Sequence, residues 1–287
     1  MLIIDFKRKI RVLFFIVKRK LAYWRFSALN DFSNYRIVSA KDTYNKICFS
    51  LAMDTPFSFL RFGDGDVYLY SGYEDSNQNF NKPMMVEYDQ AFNLVGSEVY
   101  KTLPIHSKIF GFDKGMKEGV HLQSDRVSLE LLGLSYRCFE NNKIYSPVFL
   151  HHLLVEDPTS FIHFMKQISK LRPIFVGGEQ NNIEILSRLM NVSCFIKTPS
   201  RNAYDSIDEI ETEIQETIYR QKSKLVVFAC GGTAKILTKR LHGKGLQLFD
   251  IGSVIDVFHG RDNWDWVKIS DIDSKYTEDL LIEIGNR

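Results

Sequence analysis

From residue 158 onward the chain alternates helix-period segments with short, almost uninterrupted apolar runs. Pro158–Leu171, Asn182–Met190 and Ser206–Arg220 carry apolar residues at helical spacing, and a further helix opens at Thr233 and ends at Gly243-Lys-Gly245. Between them, Pro173-Ile-Phe-Val-Gly-Gly178, Val192–Lys197, Lys224–Ala229 and Leu246–Ile251 read as strands buried on both faces. The first half follows the same grammar. Tyr44, Ile47 and Leu51 share one helical face, Pro56 closes that segment, and Ser58-Phe-Leu60 ends a strand. Spacing through Val86, Ala91, Leu94, Val95 and Val99 predicts a helix over 85–102, with a short strand at Lys108–Phe112 and a helix at Asp125–Phe139. Repeated strand, turn and helix imply an α/β fold built on a largely parallel sheet flanked by helices.

Chemistry-bearing residues gather where these strands end, which is where open parallel sheets place their sites. Phe59-Leu-Arg-Phe-Gly-Asp-Gly-Asp-Val67 sets Asp64 and Asp66 in a turn made tight by Gly63 and Gly65. Two hard carboxylates two residues apart suit Mg2+ or Mn2+, which complete their shells with water and phosphate oxygens; the same four residues also make an ordinary turn. Glu179 follows the third strand as a candidate base, or as the capping carboxylate of the next helix. In Lys224-Leu-Val-Val-Phe-Ala-Cys-Gly-Gly-Thr-Ala-Lys235, the amides of Gly231, Gly232 and Thr233 open a helix and suit an anion, although a Gly pair also simply permits a tight strand-to-helix turn. Asp250 closes the last strand. The adjacent His151 and His152 point apart on a helix or a strand and are read as structural.

Composition narrows the class. A net charge of +2 over 287 residues supplies no global field for nucleic acid. Cys48, Cys138, Cys194 and Cys230 are scattered, with neither zinc spacing nor a disulfide framework, as expected of a reducing cytoplasm. The charge is uneven, however. Residues 1–26 hold Lys7, Arg8, Lys9, Arg11, Lys18, Arg19, Lys20 and Arg25 against Asp5 alone, with the apolar run Val12–Val17 and the aromatics Phe14, Phe15, Tyr23, Trp24 and Phe26. That run is too short to span a bilayer, which takes about 20 apolar residues. The segment reads either as a basic amphipathic helix on an anionic membrane surface or as a docked N-terminal helix. Residues 1–39 are therefore set apart from a main domain at 40–287.

Four blocks resemble the GT-D-type glycosyltransferases, a bacterial family first catalogued as a domain of unknown function. They are Arg61-Phe-Gly-Asp-Gly-Asp66, similar to the family's D-x-E metal motif; Glu179 after its strand; Pro199-Ser-Arg-Asn-Ala-Tyr204; and Leu225–Lys235 continuing to Phe249-Asp-Ile-Gly252. The resemblance implies a Rossmann-like, metal-dependent enzyme using Mn2+ or Mg2+ on Asp64 and Asp66. Its donor would be a nucleotide sugar such as UDP-glucose, and its acceptor a glycan, lipid-linked glycan or glycoprotein. Donor contacts are expected from Arg61, Ser200, Arg201, Asn202, Gly231, Gly232, Thr233 and Asp250, with Asp64, Asp66 and Glu179 at the chemistry. Three positions depart from the family: Asp66 stands for its usual Glu, Gly232 for the Pro of G-P-T-A, and Ser253 for a frequent His, whose role would be lost or moved, with His259 the nearest substitute. A dinucleotide oxidoreductase is disfavoured by the missing early G-x-G-x-x-G. A metal phosphohydrolase or a non-catalytic nucleotide-sugar-binding module are the competing classes.

Overall fold

The computed structural model describes residues 36–63, 65, 66, 69, 78, 79, 81–103, 143–261, 267 and 272–285, with helical positions 10, 13, 14, 17, 20, 21 and 24. Asp64, Cys138, and the expected strand at 108–112 and helix at 125–139 lie outside the described residues. The strands are β1 (Arg36–Ile37), β2 (Phe57–Leu60), β3 (Val99–Lys101), β4 (Lys143–Ile144), β5 (Ile174–Gly178), β6 (Cys194–Thr198), β7 (Leu225–Ala229) and β8 (Gln247–Asp250). The helices are α1 (Ala40–Ala52), α2 (Lys82–Phe92), α3 (Phe149–Glu156), α4 (Pro158–Leu171), α5 (Ile183–Met190), α6 (Ile207–Gln221), α7 (Gly232–Leu241) and α8 (Ser274–Gly285). Six strands form one parallel sheet in the order β3-β2-β8-β7-β5-β6, and β1 pairs with β4 beside it.

Local chemistry explains the boundaries. Helix α4 starts where the Asp157 side chain accepts from the Ser160 amide with Pro158 in the first turn, and it stops at Arg172 in the left-handed region just before Pro173. The helix expected over 85–102 ends early. Phe92 is its last residue, Asn93 caps it, and Val99–Lys101 leaves as an edge strand pairing in register with Ser58–Leu60. Pairing with β2 outweighs the weak helical periodicity of that stretch, as tertiary context commonly does.

Alternation along the central strands splits the core in two. Phe59, Val227 and Phe249 face α1, α3, α4, α5 and α8, whereas Leu60, Phe228 and Leu248 face α2, α6 and α7. Phe249 is fully buried with ring centroids 5.5–6.5 Å from those of Phe57, Phe59, Phe149 and Phe164, so truncating it to Ala costs about 3–5 kcal/mol. The loop after β5 leads to α5 on one face, and the loop after β7 leads to α7 on the other. Such a divergence opens a crevice at the carboxyl edge of the sheet.

Candidate active site

Strand alternation aims Asp250 at the α7 side, because its neighbour Phe249 faces the opposite core. Lys235 lies four residues into α7 from its cap Gly231, and helical side chains lean toward the N-terminus. The two therefore meet. The Lys235 ammonium is 2.9 Å from Asp250 Oδ2 and 3.1 Å from Asp66 Oδ1, and it donates to the Gly231 carbonyl at 3.2 Å. The Asp250 contact is a charge contact and not an aligned hydrogen bond. All three side chains are buried. Burial opposes the Lys235 charge, but Asp250 and Asp66 together outweigh it and hold the ammonium above its ordinary range. Burial pushes the Asp250 carboxyl up, and Lys235 and Arg61 offset this only in part.

Asp66 is held from three sides. Its Oδ2 accepts the Gly63 amide at 2.7 Å, and its Oδ1 accepts the Tyr88 hydroxyl at 2.5 Å besides facing Lys235. Arg61 follows β2 and donates through Nε to the Pro147 carbonyl at 2.7 Å. Its guanidinium lies across two turns: a Cβ at Gly63 would come within 3.2 Å of it and one at Gly252 within 2.7 Å. Gly252 also has φ +64°, so the turn after β8 requires glycine twice over. Its amide donates to Asp250 Oδ1 at 3.0 Å.

At the mouth of α7, Gly231 has φ 60° and ψ −139°, a conformation that side chains resist. Gly232 occupies the first helical position, where backbone geometry alone would admit a proline, but a Cβ there would come within 2.9 Å of Met84 and 3.0 Å of Leu69, so this glycine serves the packing of α7 on α2. The Thr233 hydroxyl is buried with no hydrogen-bond partner among the described residues.

The remaining expected residues lie farther along the sheet edge. Glu179 is exposed, and its amide continues the ladder to the Thr198 carbonyl at 2.9 Å. It does not cap α5, because Asn182 accepts from the Glu184 amide in that place. β5 is two strands from β8 and its Val176 is level with Asp250, so Glu179 is offset from Asp250 by about 10 Å across the sheet and about 10 Å farther along the strand direction. After β6, Ser200 is exposed. Arg201 Nη2 donates to Asn79 Oδ1 at 2.7 Å, and Asn202 Oδ1 accepts the Asn79 amide at 2.8 Å. Tyr204 turns away to Glu87, at 2.9 Å. His259 Nδ1 is within 3.0 Å of the Ile255 carbonyl, in the 3-10 helix Gly252–His259 that also holds Ser253. His151 is buried in α3 beside the less buried His152, in keeping with a structural role.

The structure thus unites Arg61, Asp66, Gly231 and Asp250, and sets Glu179 and Ser200–Asn202 apart from them. Asp64 is outside the described residues. Lys235 and Tyr88 were not singled out by sequence. A lysine one turn into a helix that follows a strand was the available signal for the first; nothing local marks the second.

Among the described residues no group of three His, Cys, Asp or Glu could enclose a metal ion. Mg2+ and Mn2+ need no such enclosure when one or two carboxylates act together with substrate phosphates. Asp66 Oδ2 meets that demand as a single oxygen: among the described residues it accepts the Gly63 amide alone, and an oxygen has two lone pairs.

No curated protein sequence matches the chain. Three solved structures share its fold. One, described as a selenomethionine-substituted domain of unknown function 1792, is 19% identical with TM-score 0.61, over 84% of this chain and 85% of that one. A second, whose description gives this domain a distinct glycosyltransferase fold, is 20% identical with TM-score 0.60, over 88% and 86%. The third, a glycosyltransferase of the same domain from Streptococcus sanguinis, is 18% identical with TM-score 0.59, over 82% and 85%. The family model for the glycosyltransferase GT-D fold matches residues 59–278, from the last residues of β2 into α8, and the chain is therefore a member of the GT-D glycosyltransferases.

Proposed function

We propose that this glycosyltransferase moves a hexose from a nucleoside-diphosphate sugar, with UDP-glucose the first to test, to a hydroxyl of a glycan, lipid-linked glycan or glycoprotein. One observation carries the reading: a buried carboxylate, Asp66, and a helix N-terminus at Gly231–Thr233 share the carboxyl edge of the sheet, joined through Lys235. Asp64 and Asp66 would hold Mn2+ or Mg2+, which when bound neutralises the diphosphate and eases departure of the nucleotide. The amides of Gly231–Thr233 and the Arg61 guanidinium orient the phosphates. Ser200, Arg201 and Asn202 take the nucleoside or sugar hydroxyls. Glu179, exposed across the crevice, receives the acceptor proton. The test is a screen of nucleotide sugars with and without Mn2+, followed by thermal shift and by release of free nucleotide with and without glycan acceptors. Metal-dependent release that rises with acceptor is expected. Release indifferent to acceptor would point to a phosphohydrolase, and binding without turnover to a non-catalytic module.

The basic extension at 1–39 would bring the enzyme to the cytoplasmic face of a membrane. No helix among the described residues is long and apolar enough to cross one. Ile10, Leu13, Phe14, Val17 and Leu21 fall on one helical face and are 47–70% exposed, which favours a surface-lying helix over a docked one. Flotation with anionic liposomes should carry the full chain and leave behind a form lacking residues 1–26; equal partitioning of both would reject the anchor.

A further inference from the structure

We propose that Lys235 is a positioning residue of the transferase, holding the ends of β2, β7 and β8 as one unit without touching the donor. Its ammonium has three N–H groups and three acceptors within 3.2 Å, one from each of those ends: Asp66 Oδ1, the Gly231 carbonyl and Asp250 Oδ2. Its side chain is 3% exposed, so the ammonium is turned inward to these three acceptors and away from a ligand at the surface. The usual expectation for a lysine beside a diphosphate site is a direct contact. Here the geometry assigns that contact to Arg61 and the α7 amides, and gives Lys235 the task of fixing what surrounds them.

The consequence runs along a short path. Lys235 and Tyr88 pin Asp66 Oδ1, which leaves Oδ2 directed at the Gly63 amide. The turn carrying Asp66 is thereby tied to β2. On the other side, the contact with the Gly231 carbonyl steadies a cap residue held at φ 60°. Two turns of opposite chemistry, one acidic and one rich in amides, are set against each other by one cation. Buried charge is balanced at the same time, because Arg61 is the second cation acting on Asp250 and Lys235.

This inference rests on the donor assignment above, and its test separates the two. Replacing Lys235 alone strands two buried carboxylates and endangers the fold, so the informative variant is Lys235→Met combined with Asp250→Asn, which keeps the net charge. Lys235→Arg is the second variant: it keeps the cation, but its planar fork cannot meet the same three acceptors. Two quantities are read in each folded protein. Hydrogen exchange of the Gly63 amide reports directly whether Asp66 is still held, with amides of α4 as an internal control. Titration with UDP in the presence of Mn2+ reports the donor site. Expected are α4 protection like the parent's, faster exchange at Gly63, and UDP affinity weaker by about 10- to 100-fold, the range seen when supporting partners of a metal site are removed. Unchanged Gly63 protection in either folded variant overturns the positioning role. Faster Gly63 exchange in a protein whose parent binds no UDP leaves the positioning role standing and rejects the donor assignment.

Discussion

Lys235 and Arg240 sit five residues apart on α7, and each faces more than one carboxylate, yet their surroundings differ in kind. Lys235 is buried between Asp66 and Asp250 at the helix mouth. Arg240, near the other end, is 20% exposed and pairs with Glu87 at 2.7 Å, Asp208 at 2.6 Å and Glu211 at 3.1 Å, of which Asp208 is 87% exposed. Water screens the second cluster and cannot reach the first. A charge removed from the buried cluster leaves its partners without compensation, whereas the outer acids can be rehydrated. The outer cluster serves the packing of α2, α6 and α7; the inner one ties together the ends of β2, β7 and β8.

The largest expected effect comes from breaking the inner cluster on one side only. Lys235→Met should destabilise the protein by about 3–5 kcal/mol, the cost of leaving buried charge unpaired, as measured by urea unfolding. A loss below about 1 kcal/mol would mean that water enters the cluster and would remove the contrast with Arg240. Next is the cap between strand and helix. Gly231→Val forces a β-branched side chain to φ 60° and should cost about 1–3 kcal/mol, together with weaker UDP binding. The ligand-free midpoint should therefore fall as well, so affinity is compared only below the unfolding range. A folded Gly231→Val protein with unchanged UDP affinity would return the turn to simple packing.

Breaking the outer cluster should do less. Arg240→Met is expected to cost about 1 kcal/mol, or roughly 2–4 °C in thermal midpoint for a protein of this size, and to leave UDP affinity unchanged. The smallest effect is confined to acid. Arg240 hydrogen bonds hold the Glu87 carboxyl below its ordinary range against a lesser opposing effect of burial, and Tyr204 adds to them. A depressed folded value means that the stabilisation is present above the unfolded value of about 4.3 and is lost as pH falls from there through the folded value. Thermal midpoints from pH 7 to about pH 2.5 should thus fall less steeply at the acid end for Glu87→Gln than for the parent. Identical acid limbs would show that Arg240 takes its support from Asp208 and Glu211 instead.

The inner cluster also marks where reading the sequence stops. Strands β5, β7 and β8 were legible because both faces are buried, so their apolar runs are continuous, and α4 was legible to the residue through its proline and its amphipathic stripe. The edge strand β3 was not, since Val95 and Val99 mimic a helical repeat and only pairing with β2 decides the matter. Asp66 and Asp250 could be picked out from their places after strands. Their meeting at Lys235 could not, because it depends on β8 lying between β2 and β7, nearly 190 residues after the first of them. Tyr88 likewise reaches Asp66 only through the packing of α2 on α7. The separation of Glu179 and the loop at 200–202 from the cluster follows from the same strand order, which spacing along the chain does not encode.

That order also bears on how the protein is made. Strands β2 and β3 are synthesised early and β5, β6 and β7 later, but only β8, ending at Asp250, joins the two sets. Until it emerges from the ribosome, a nascent chain holds two partial sheets, with β2 and β7 each presenting a bare, apolar edge. Such edges invite pairing with other chains. Any chain cut short before residue 247 should therefore aggregate rather than fold to a smaller enzyme, and the sheet closes in the same event that brings Asp250 to Lys235.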